Sequence, residues 1–149
     1  MVTEAKWEVP AAIQTYLSTE LNSLANAGKK LGAKIDNVAD GENEMYIALE
    51  LYVATQGGAR SAGASVAIYL LPSIDDTNFC YGDDTTAPPA SALFHVFPLD
   101  AATTARYVTV DGLLIGPFDF KLLVINSTGQ AFASSGNTLK YRLYSLEGQ

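Results

Sequence analysis

From Met45 onward the chain consists of short runs of alternating apolar and polar positions, separated by Gly, Pro, Asn and Asp. Met45, Ile47, Leu49, Leu51 and Val53 alternate with Tyr46, Ala48, Glu50, Tyr52 and Ala54. That period of two predicts a strand with its aliphatic set facing a core. Residues 65–71 are apolar on both faces, Val66, Ile68 and Leu70 against Tyr69 and Leu71, and Pro72 follows. They predict a partner strand covered on both sides, by the core and by either an N-terminal helix or a neighbouring subunit. Gly-rich residues 57–63 between these two strands predict a hairpin loop. A phosphate cradle would need GxxxxGK[ST] or GxGxxG between a strand and a helix.

Later strands are expected at 93–97, 105–110, 113–115, 118–126, 131–133 and 139–146. They are divided by turn chemistry at Asp111-Gly112, Gly116-Pro117, Asn126-Ser127-Thr128-Gly129 and Ser135-Gly136-Asn137. A short first strand is expected at 31–35, followed by a polar turn at 36–43. Toward the N-terminus, Ile13, Tyr16, Leu17, Leu21 and Leu24 recur at threes and fours. Pro10 suits a first helical turn, and Gly28 with Lys29 and Lys30 suits a C-terminus. This predicts an α-helix over about 10–27. The expected fold class is mainly β: an antiparallel β-sandwich of about eight strands, a general sandwich or a jelly roll, with one N-terminal α-helix. Residues 1–9 are expected to be an N-terminal lead or arm anchored by Trp7, and 10–149 a single domain that includes the helix. The long segment 73–92 is expected to be functional or interfacial.

Composition narrows the function classes. Only 17% of the 149 residues are charged, fewer than usual, as expected if part of the surface is covered by another chain. A net charge of −7 argues against nucleic acid or an anionic membrane as partner. The single Cys80 precludes an intrachain disulfide. No apolar h-region precedes Pro10 and no apolar run approaches membrane-spanning length, so neither a signal peptide nor a membrane partner is expected.

Catalytic chemistry is poorly supplied. His95, the only histidine, lies among large apolar neighbours, and no G-x-S-x-G accompanies it, so a structural role is expected. Asp75, Asp76 and Asn78, or Asp83 and Asp84, could offer oxygen ligands to calcium, but the EF-hand spacing is absent and solvated turn carboxylates are the better account. One His and one Cys cannot close a zinc site. Asn126-Ser127-Thr128 matches a glycosylation sequon and is read as a turn. No catalytic residue, cofactor-binding residue, metal ligand or cofactor is therefore expected, and the protein is read as a non-enzyme. The candidate interface residues are Trp7, Tyr46, Tyr52, Tyr69 and Tyr144, whose tyrosines fall opposite the aliphatic core sets. They could anchor a subunit interface, lie under the helix, or stack on sugars.

Three phrases carry a resemblance: Thr15-Tyr16-Leu17-Ser18-Thr19-Glu20-Leu21-Asn22-Ser23-Leu24-Ala25-Asn26 with Ile35-Asp36-Asn37; Ile68-Tyr69-Leu70-Leu71-Pro72-Ser73-Ile74-Asp75-Asp76-Thr77-Asn78; and Lys140-Tyr141-Arg142-Leu143-Tyr144-Ser145. Over about residues 12–146 the chain resembles small virion structural proteins of tailed bacteriophages. The resemblance implies a jelly roll acting as a capsid decoration or cement protein on the virion exterior, assembled in the host bacterial cytoplasm. The implied partners are the major capsid protein and the chain itself, as a homotrimer. The alternatives are a carbohydrate-binding module for host attachment and a tail structural component.

Overall fold

A computed structural model describes residues 5–38 and 43–148. Residues 1–4 of the expected lead, 39–42 of the expected turn and the final residue lie outside the described residues. Among the described residues ten strands follow in chain order: β1 (Ala5–Trp7), β2 (Gln14–Leu17), β3 (Lys29–Leu31), β4 (Tyr46–Val53), β5 (Ser65–Pro72), β6 (Leu93–Pro98), β7 (Arg106–Leu114), β8 (Phe120–Ser127), β9 (Thr138–Tyr144) and β10 (Leu146–Gly148). Two four-stranded antiparallel sheets, β2-β9-β4-β7 and β3-β8-β5-β6, face each other as a sandwich, and β1 pairs with β10 as a separate ribbon.

The pairing is nested. β5 pairs with β6, β4 with β7, β3 with β8, β2 with β9 and β1 with β10, so the chain is one long folded-over hairpin. Rolling that hairpin adds the β4·β9 and β5·β8 ladders that complete the two sheets. The core lies between them. Ile47, Leu49, Leu51 and Val53 of β4 and Leu139 of β9 meet Val66 and Ile68 of β5, Phe97 of β6, and Phe120, Leu122 and Val124 of β8. The alternation in β4 therefore has the expected phase, except that Met45 lies exposed just before the strand.

No α-helix forms among the described residues, which corrects the expected helix over 10–27. Residues 14–17 are strand β2 on β9, Thr19–Leu21 is a single 3₁₀ turn, and Lys29 to Leu31 is a strand rather than a helix end. The physical reason is local and tertiary together. Thr15, Tyr16, Ser18, Thr19, Asn22 and Ser23 are indifferent helix formers, while β9 offers backbone partners. Spacing by fours still buries Leu17 and Leu21, through a strand followed by a turn.

Residues 57–63 join β4 to β5 but do not form a hairpin, because those strands lie in opposite sheets. The crossover is pinned by the buried Arg60, whose guanidinium donates to Gln56 Oε1, the carbonyls of Asp100 and Thr104, and Asp100 Oδ1. Segments 105–110 and 113–115 merge into β7 through a bulge. Opposite Ala48 the register slips by one residue, with Gly112 at φ 67°, the left-handed region that a side chain resists. Residues 131–133 are not a strand; they insert Phe132 into the core and bond its amide to Leu24 O.

Among the described residues no α-helix covers the outer face of β3-β8-β5-β6. Buried Leu71 lies under the chain's own 73–92 segment. Asp84 ties that segment to β3, accepting from Leu31 N at 2.7 Å and from Lys30 Nζ at 2.5 Å, and Lys121 lies over the Phe79 ring at 4.3 Å.

Candidate functional site

The five candidate interface residues divide between the two outer faces. Tyr46 and Tyr144 are cross-strand partners on β4 and β9, with ring centroids 5.5 Å apart and nearly parallel planes. Trp7 closes on both, 5.8 Å from Tyr46 and 5.5 Å from Tyr144. Its position is set by the ribbon, where Trp7 pairs with Leu146, and by the next residues, where Glu8 N donates to Ser145 O and Ala11 N to Leu143 O. Arg142 fastens the same arm from below, donating through Nε to Ala11 O at 2.6 Å. Tyr52 lies further along this face, not in the cluster, with its ring 4.3 Å from Tyr107 of β7. Tyr69 belongs to the other sheet, on the face shared with the 73–92 segment.

An open trough runs across the outer face of β2-β9-β4-β7, beside the aromatic cluster. Ala48 forms its floor, Arg142 and Lys140 come from β9, Glu50 from β4, and Asp111 from the β7 bulge. The trough continues to Trp7, Pro10 and Tyr144. The bulge turns the Gly112 amide out of the ladder toward the Tyr144 hydroxyl, which accepts it at 2.6 Å. Lys140 and Glu50, directly opposed across strands, form an ion pair at 3.5 Å. The trough residues Asp111, Arg142 and Lys140 were not singled out from sequence. Their signal was present as polar positions on the tyrosine-bearing faces of two alternating strands.

The residues weighed for chemistry from sequence take the following positions. The His95 ring packs edge-on against Phe97 at 4.5 Å, and partial burial lowers its pKa. Asp75 accepts from the amides of Thr77 and Asn78 and is held well below the usual carboxylate range by them. Asp83 does the same for Thr85 and Thr86, which with the Thr85 hydroxyl hold it down to about 2. Among the described residues no three His, Cys, Asp or Glu side chains converge as a metal site. Asn126 of the sequon is fully buried, donating to the carbonyls of Leu24, Ala25 and Gln130.

No protein-family model matches the chain, and no curated protein matches it significantly. The functional reading therefore stands on the geometry and on the resemblance of short phrases described above.

Proposed function

We propose that this protein is a non-enzymatic structural component of a tailed-phage virion, a capsid decoration protein on an eight-stranded jelly roll. The observation that carries the reading is the nested pairing of β2 to β9 in two four-stranded sheets. Double-sheet jelly rolls made of two Greek keys have this pattern, and they serve as virus coat domains. A cement role needs a rigid body with an ordered contact surface, and the face formed by β3-β8-β5-β6 and the 73–92 segment supplies one. There Ile74 and Tyr81 stand 83% and 62% exposed on a segment anchored by Asp84, with Tyr69 and the exposed Val96 on the strands beneath. Exposed apolar side chains on an anchored surface mark contact with another protein.

In this reading that face docks on the major capsid protein and bridges neighbouring capsid subunits as a homotrimer at three-fold positions. Binding that exists only in the assembled shell adds to the free energy that disassembly must overcome. The test is cryo-electron microscopy of the particle carrying this chain. The expected result is density bridging capsid subunits at three-fold sites, with occupancy reduced by Ile74→Asp with Tyr81→Asp. Density confined to the tail, or absence of the chain from the virion, overturns the proposal.

A further inference from the structure

The opposite outer face, β2-β9-β4-β7, carries a site that the decoration role does not use. We propose that its trough binds a neutral oligosaccharide. Three properties point there, independently of the decoration reading.

The first is an aromatic wall held ready. Trp7 is 63% exposed although Tyr46 and Tyr144 lie against its ring from two sides. An exposed ring held in one orientation costs little entropy on binding and offers a flat apolar face to the C–H face of a pyranose.

The second is polar lining without net charge. Asp111 and Glu50 are opposed by Arg142 and Lys140. The chain as a whole carries −7, so this local balance is a property of the trough. Carboxylates accept hydrogen bonds from hydroxyls, and the guanidinium and ammonium donate to them. The Tyr144 hydroxyl, already accepting from Gly112, retains its own hydrogen to donate. An anionic ligand would need a surplus of cations, and a protein partner would have to desolvate the Glu50–Lys140 pair.

The third is shape. The trough crosses β9, β4 and β7, two spacings or about 10 Å at ordinary strand separation, long enough for about two sugar rings, with Ile13 at its β2 side. Its volume is about 350 Å³ in the central part, and it stays open because position 48 is alanine. A larger side chain there would fill it.

Trp7 is the only tryptophan, so its fluorescence reports on this site alone. The experiment titrates the full chain with cellohexaose, xylohexaose and mannohexaose to millimolar concentration, with polygalacturonate as the anionic comparison. A saturable emission change with at least one neutral hexasaccharide is expected. Ala48→Leu should weaken it at least tenfold and Tyr81→Ala, on the other face, should leave it unchanged. Unchanged Trp7 emission in unliganded Ala48→Leu shows that the arm is in place, and so separates its effect from loss of the arm in Trp7→Ala, since Ala48 borders Trp7 and Pro10. The inference is overturned if no neutral hexasaccharide gives a saturable change, if only polygalacturonate does, or if Ala48→Leu has no effect. Self-association that shields Trp7 from iodide quenching would also overturn it, by assigning the trough to a second copy. None of these outcomes bears on where the chain sits in a virion, so the two proposals fail separately.

Discussion

At the scale of single residues, several polar side chains do work that hydrophobic packing cannot. The Tyr16 hydroxyl donates to Ala33 O at 2.7 Å and accepts from Leu122 N at 2.8 Å, closing the end of the β3·β8 ladder. Burial pushes its pKa well above the ordinary tyrosine value. A raised folded-state pKa leaves stability intact below the unfolded value near 10 and removes it as pH climbs beyond, because the unfolded state releases its proton first. Tyr16→Phe should cost about 1–3 kcal/mol at neutral pH and flatten the loss of stability above pH 10, both measurable from urea midpoints. Gly32 explains why this ring fits, since a Cβ there would fall 2.2 Å from it. On the acid side, Asp83 is held down to about 2 by Thr86 and Thr85, and Asp100 to about 2 by Arg60 and Arg106. Depressed carboxyls stabilise the fold above their unfolded values, near 3.8, and that contribution is lost as pH falls toward 2. Asp83→Asn with Asp100→Asn should lower the urea midpoint at pH 7 and flatten its decline between pH 4 and 2.

At the scale of elements, the strands from β4 onward were largely legible, because each has one face in the core and alternation reports that directly. Leu49 and Leu139, cross-strand neighbours of Tyr141 and Leu51 respectively, are buried where alternation puts them. The N-terminal segment was not legible. A spacing of fours is shared by a helix and by a strand that breaks into a turn, and only β9, more than a hundred residues away, distinguishes the two. The β7 bulge was misread for a related reason: Asp111-Gly112 is hairpin chemistry, yet the same left-handed glycine also forms a bulge. Asn126 shows a side chain acting as an element. It satisfies the carbonyls of Leu24, Ala25 and Gln130 and accepts from the Thr128 amide, joining the N-terminal turn to the end of β8. Asn126→Ala should therefore cost about 3 kcal/mol or more in chemical denaturation, since several buried groups lose partners at once.

At the scale of the whole molecule, the arm is peripheral to stability and central to the trough. No side chain from Ala5 to Thr15 is buried, and the first core residue is Leu17. Deleting residues 1–9 should leave the thermal midpoint within a few degrees in circular dichroism while removing the Trp7 wall. Of the candidate site, the tyrosines on the outer faces were legible as residues, but their grouping was not. Trp7, Tyr46 and Tyr144 meet because β1 pairs with β10 and β4 with β9, and Tyr69 parts from them because β5 lies in the other sheet.

Sequence alone determined the class of fold, the phase of its best strands and the supply of a single histidine and a single cysteine. Those follow from burial and composition, which act residue by residue. Strand order, the refusal of the N-terminal helix, the self-covered face of β3-β8-β5-β6 and the trough were decided only in the tertiary structure. Each depends on partners far apart in the chain, and alternation specifies which side of a strand is buried without specifying what lies against it.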